Sequence, residues 1–174
     1  RPDVVVHQLT DLPPVRTQES LATAIGRNAR LRREGTRSLV QATLASGCRR
    51  MVAQSIAWAY APGPLPHAEE DPLDTLAAGE RAVSVHAVLE LESLVLNSAG
   101  LAGLVLRYGH LYGPRTWSAE PDGEMPLHVE DAARAAHCAV ERAGVTGVFN
   151  VSEPCLQLSV DKARRMLGWT SAKS

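Results

Sequence analysis

The sequence of 174 residues predicts a doubly wound α/β fold, a parallel sheet with helices on both faces. Three observations predict it. Short apolar runs of strand length alternate along the chain with longer stretches of helical periodicity. The run Met51-Val-Ala is apolar without alternation, as in a parallel strand covered on both sides. Leu39, Val40, Thr43 and Leu44 share one helical face ahead of Gly47, which sits where a left-handed C-terminal cap belongs.

Taken in order, a first strand is read over residues 3–7 and a helix over about 19–46, with a candidate break near Gly26. A strand at 51–54 follows the basic pair Arg49-Arg50 and ends on Ser55. That hydroxyl is expected just past the strand's carboxyl end, where open α/β sheets place their ligands. The segment Ala61-Pro-Gly-Pro-Leu-Pro-His67 is a proline-stiffened loop. A helix over about 76–97, a strand at 103–108, a helix at 130–142 and a strand at 148–151 complete the alternation. Residues 1–174 are read as one domain with 153–174 as a short C-terminal tail, helical where Asp161-Lys-Ala-Arg-Arg-Met-Leu-Gly-Trp169 stands.

Bulk composition excludes several roles. The 18 basic and 19 acidic side chains leave no field that would collect nucleic acid or an anionic membrane. No apolar run reaches the length of a membrane span. Cys48, Cys138 and Cys155 match neither a disulfide framework nor a zinc site, so no metal is expected. Arg1-Pro-Asp leads directly into a strand without a signal-peptide pattern, and a reducing cytoplasm is the expected compartment.

Four segments, in order, carry a resemblance: Arg1 to Thr10, Gly35 to Ser55, Leu106-Arg-Tyr-Gly-His-Leu-Tyr-Gly-Pro114, and Pro126-Leu-His-Val-Glu-Asp-Ala-Ala133 through Gly147-Val-Phe-Asn-Val-Ser152. Together they resemble the extended short-chain dehydrogenase/reductase superfamily, of the NAD-dependent epimerase/dehydratase type. The resemblance implies a Rossmann-like domain that binds NAD or NADP. It also implies an oxidoreductase or isomerase acting on a sugar nucleotide or on a small carbonyl or hydroxyl substrate. The glycine-rich turn that cradles a dinucleotide's diphosphate has no counterpart in the sequence. The expectation is therefore that the sequence begins inside a larger protein, at the fourth strand, with the N-terminal strands missing.

The resemblance assigns roles residue by residue. Gln8 and Thr10 would line the nicotinamide ribose side of the groove, or else bond only to loop backbone. Ser55 stands where the family keeps the Ser or Thr that polarises a substrate oxygen, beside the cofactor, although a strand-end serine capping a turn is the plainer reading. His110 stands at an Asn position that faces the nicotinamide or the substrate. Arg107 and Tyr112 would anchor the strand end, and Asp131 would sit in a structural helix.

The family's Tyr-x-x-x-Lys pair, whose phenolate carries the proton that accompanies hydride transfer, falls on Ser84 and Val88. No Lys precedes Lys162. Two residues stand as substitutes for the catalytic proton, Tyr60 in the loop and His86 on the helix. The vacant pair also raises a second reading, a non-catalytic dinucleotide-binding sensor or interaction protein. The resemblance further implies a homodimer in which the helices at 33–46 and 83–97 pair with their twins through Val85, Leu89 and Leu96. The same residues would serve to pack on the sheet, and both readings stand at this point.

Overall fold

The computed structural model describes residues 1–13 and 17–173. Its main sheet is built from β1 (Val5–His7), β2 (Arg50–Ile56), β3 (Ala102–Tyr108) and β6 (Gly147–Val151), in the order β1-β2-β3-β6 with every pairing parallel. β4 (His110–Tyr112) and β5 (Pro126–His128) form a separate parallel pair. The helices are α1 (Gln18–Arg30), α2 (Thr36–Ala45), α3 (Gly79–Asn97) and α4 (Val129–Glu141).

Strand residues alternate between two apolar layers, as the pleat requires. On one face Met51, Ala53 and Val105 pack with Val40 of α2 and with Leu91 and Val95 of α3. On the other, Val52, Leu104, Leu106 and Phe149 pack with Ala132, Ala135 and Ala139 of α4 and with Trp169. Helices therefore cover both faces. A Cβ on Gly103 would lie 2.0 Å from the Val95 carbonyl oxygen, so the missing side chain lets α3 sit close on β3. Gly47, at φ +78°, closes α2 in the left-handed region, as its position predicts. The Arg50 guanidinium donates to the carbonyls of Ala139, Arg142 and Val145, tying the start of β2 to the end of α4. The tail folds back: Trp169 is buried and its Nε1–H donates to the Asp131 carbonyl at 3.0 Å, while Ser174 lies outside the described residues.

Several boundaries differ from expectation. The long helix is not broken at Gly26; instead a π turn, Leu31–Gly35, joins α1 to α2. α3 starts at Gly79 rather than 76, because positive φ at Gly79 ends the preceding loop and leaves Leu76 exposed. β2 runs on to Ile56, and Ser55, expected past the strand, pairs inside it opposite Arg107. Parallel pairing continues there because neighbouring β3 is long enough to supply partners beyond the apolar run. The β4/β5 pair was not foreseen, since each strand has three residues and neither carries a periodic pattern.

Candidate functional site

At the carboxyl end of the sheet three adjacent strands place a polar residue in the same row: Ser55 opposite Arg107, and Arg107 opposite Asn150. All three are buried. α3 lowers Glu92 onto this row. Its Oε1 accepts from Ser55 Oγ at 2.7 Å and from Arg107 Nε at 2.9 Å, and its Oε2 accepts from Arg107 Nη2 at 2.7 Å. Arg107 Nη1 donates to the Tyr60 hydroxyl at 2.8 Å, and that hydroxyl donates to Asn150 Oδ1 at 2.7 Å. The Asn150 backbone N–H donates to Glu69 Oε1 at 2.8 Å. Tyr60 also stacks on His67 with centroids 4.9 Å apart, and the Arg107 guanidinium lies 4.9 Å from its ring centroid.

The electrostatics follow from burial. Desolvation works against the charge on Arg107, but hydrogen bonds and attraction from Glu92 outweigh it and hold the guanidinium protonated. Desolvation pushes the Tyr60 phenol up, and Arg107 only partly offsets this. Glu69 is likewise pushed up by burial. A phenol so placed stays protonated, with its proton already donated to Asn150. Ser55 and Tyr60 thus belong to one connected interior network, and in this geometry neither hydroxyl is presented to a cleft.

The cleft beside them is a cavity of about 260 Å³ lined by Ile25, Ile56, Trp58, Arg81, Ser84 and Val85, among others. Its rim is stiffened by Arg81, which bonds Asp74 Oδ2 at 2.8 Å, the Trp58 carbonyl at 2.8 Å and the Tyr60 carbonyl at 2.9 Å. Trp58 stacks on His110 with centroids 4.6 Å apart and planes 12° from parallel. Ser84 therefore faces the cleft, whereas Val88 is fully buried in the apolar cluster with Tyr60 and Ile56.

The other expected residues are spread more widely. Gln8 and Thr10 lie exposed after β1, and Gln8 hydrogen-bonds the Tyr108 phenol, which burial holds above its ordinary value. His86 is on the exposed side of α3, its Nε2 3.4 Å from the Thr75 carbonyl. The structure thus brings His110 to Trp58 and Ser55 to Tyr60, but it does not bring Ser55 to Thr10. Arg107 and Tyr112 do anchor the strand end; the Tyr112 hydroxyl donates to Glu153 at 2.7 Å, which pushes the phenol up to about 12. Val85 is buried against the sheet, while Leu89 and Leu96 are half-buried partners of the same layers. Sequence reasoning missed Trp58 and Glu92 as site residues. Glu92 had a signal, its helical position one turn beyond Val88; Trp58 had none.

Among the described residues no group of three His, Cys, Asp or Glu could hold a metal, and no helix is long and apolar enough to cross a membrane.

Solved structures share this architecture. UDP-N-acetylglucosamine 4-epimerase from Bacillus cereus superposes with a TM-score of 0.74 at 20% identity, covering 99% of this chain and 73% of that one. A UDP-galactose 4-epimerase superposes at 0.77 and 18% identity, covering 100% of this chain and 74% of that one. RMD from Pseudomonas aeruginosa, solved with NADPH, superposes at 0.78 and 18% identity, covering 99% and 77%. The chain has the fold of the NAD-dependent epimerase/dehydratase proteins.

Within that epimerase/dehydratase fold, the chain is also similar in sequence to a curated protein, the 3-diazoavenalumate denitrifying reductase of Streptomyces sp, at 47% identity over 174 residues. That match covers 88% of this chain and 56% of the relative, so the chain spans little more than half the length of the curated relative it matches. No protein-family model matches.

Proposed function

We propose that this chain forms the substrate side of an NAD(P)H-dependent reductase whose substrate is a small, electron-poor acid rather than a sugar nucleotide. The observation that carries the reading is the 47% identity to a reductase named for removing nitrogen from a diazo acid. The site chemistry supports it. With Ser84 and Val88 at the two vacant positions, these positions supply no phenol–ammonium pair to deliver a proton in step with hydride. Reducing a carbonyl needs such a proton on the developing alkoxide. A diazonium group already carries positive charge: hydride from the nicotinamide forms the new C–H bond, the C–N bond breaks, dinitrogen leaves with that electron pair, and no proton is needed.

The residues present fit one end of a nicotinamide dinucleotide. Exposed Gln8 and Thr10 follow β1. Among the described strands, β1 pairs on one side only and exposes Val6 at its edge, where further sheet would carry the diphosphate. When bound, the nicotinamide supplies the hydride. Gln8 and Thr10 would hold its ribose side, and His110, fixed by its stack on Trp58, would border the nicotinamide. The mostly apolar cleft would exclude water from the acceptor. Ser84 would contribute one weak donor to the substrate. Ser55 and Tyr60 would act at one remove, holding the strand ends in place through Glu92, Arg107 and Asn150, and exposed His86 would take no part. We further propose a cytoplasmic protein, in keeping with its free cysteines, and a homodimer through α2 and α3 using Leu89 and Leu96.

The test is to express the protein from its complete gene and follow NADPH and NADH oxidation with an ortho-diazophenolic acid and, separately, with UDP-glucose. Oxidation coupled mole for mole to loss of the diazo group supports the reading. Turnover of the sugar nucleotide overturns it, and cofactor binding without any turnover would favour a sensor instead.

A further inference from the structure

The charges around the cleft beside Ser84 are not balanced. Among the described residues two charged side chains line it, Glu80 and Arg81, both near the start of α3. Arg81 is fully engaged. Its Nε donates to Asp74 Oδ2 at 2.8 Å, and its two terminal nitrogens donate to the carbonyls of Trp58 and Tyr60. Asp74 therefore neutralises that cation and holds it on the rim. Glu80 has no such partner, since no hydrogen bond or ion pair joins it to a described residue. An uncompensated acid on a mostly apolar cleft favours a cation there, because low-dielectric walls focus its field.

The rest of the lining suits a flat apolar group. Ile25, Ile56 and Val85 border the cleft together with Trp58. Trp58 is half-buried against the cluster that holds Ile56 and Val85, and its stack on His110, with planes 12° apart, fixes the ring. An indole has a negative face that attracts a cation within about 6 Å. Ser84 stands where the resemblance places a tyrosine, so the room a phenol ring would take is open. The cleft's volume of about 260 Å³ sets the size of the guest. An apolar cavity of about 150 Å³ holds benzene, and sites for drug-sized ligands begin at about 300 Å³. One ring with a short substituent fits inside it, and a nucleotide sugar does not.

We infer that this cleft selects a planar, positively charged aryl group, with Trp58 as its platform and Glu80 as its counter-charge. Naming that group as the hydride acceptor deepens the proposed function and rests on it. The acid end of such a substrate would then point out of the cleft. Binding itself is independent of turnover.

The test uses the protein from its complete gene and three probes of one shape: benzamidinium, benzamide and benzoate, a cation, a neutral molecule and an anion. Calorimetry at neutral pH and low ionic strength should show the cation bound about threefold to fivefold tighter than the amide, with the anion weakest. Glu80→Gln should remove that advantage and leave the amide unchanged. Trp58→Leu should weaken the cation about tenfold and the amide less, and Trp58→Phe, which keeps an aromatic face, should recover much of the loss. Ser84→Tyr should fill the cleft and abolish binding of all three probes. Benzoate bound as tightly as benzamidinium, or a cation affinity unchanged in Glu80→Gln or Trp58→Leu, would overturn the inference. Binding that survives Ser84→Tyr would place the probes elsewhere and overturn it equally. Glu80 is exposed, so Glu80→Gln should melt as the wild type does and carries the test should Trp58→Leu fail to fold. NADPH oxidation is read separately on the same protein. Cation binding without turnover of a diazo acid would count against the reductase reading and not against this one.

Discussion

Arg107 and Glu92 meet in the interior as a two-pronged pair, with Nε 2.9 Å from Oε1 and Nη2 2.7 Å from Oε2, both side chains 7% exposed or less. Each charge is affordable there only because of the other, and their remaining valences go to Ser55 and Tyr60. Removing one partner strands the other. Arg107→Met should cost about 3–5 kcal/mol in urea unfolding, whereas Arg107→Met with Glu92→Leu should cost clearly less than the two single changes summed. Additive losses would show that the pair is not coupled.

Tyr60 joins this pair to the last strand through Asn150. Tyr60→Phe keeps the ring contacts with His67 and Arg107 but leaves Asn150 Oδ1 and an Arg107 N–H without their shared partner. A loss of about 1–3 kcal/mol is expected, with activity per folded molecule nearly unchanged. A collapse in turnover with wild-type stability would put the phenol in the chemistry.

His7 gives the fold a pH dependence of known sign. Burial lowers its pKa from the ordinary 6.5. The unfolded chain then binds a proton more readily than the folded one at and below that pH. The contribution of neutral His7 is therefore present above about pH 6.5 and lost as the solution is acidified through the window below it. Urea midpoints should fall between neutral and mildly acidic buffer, and His7→Gln should show a smaller fall. An equal slope in both proteins would remove His7 as a contributor.

Val88 stands where the resemblance places an ammonium, yet it is fully buried among apolar side chains. Val88→Lys should not restore dehydrogenase chemistry. It should destabilise the protein by about 3 kcal/mol or more, because the site is apolar and the acid one helical turn on, Glu92, is already engaged by Arg107 and Ser55. A folded, stable Val88→Lys variant that gains carbonyl reductase activity would show that the vacancy is only a lost side chain.

The layers of the fold were legible because they rest on local signals. The apolar run at Met51 and the helical face ending at Gly47 needed no tertiary knowledge, and both form as their pattern requires. The polar row was not legible. Arg107 finds Glu92 across 15 residues and Tyr60 across 47, so the network exists only once α3 has crossed β3. Ser55 was placed by the end of the apolar run, but pairing with Arg107 carries the strand past it.

The claim at the centre is that hydride reaches the acceptor without a partnered proton donor on this chain. Single-turnover reduction of an ortho-diazophenolic acid by NADPH deuterated at C4 tests it most directly. The rate should show a primary isotope effect and, once the substrate's own ionisation is allowed for, should change little from about pH 6 to about pH 9. A rate that rises or falls tenfold per pH unit across that range, and loses this dependence in Ser84→Ala or His110→Gln, would contradict it.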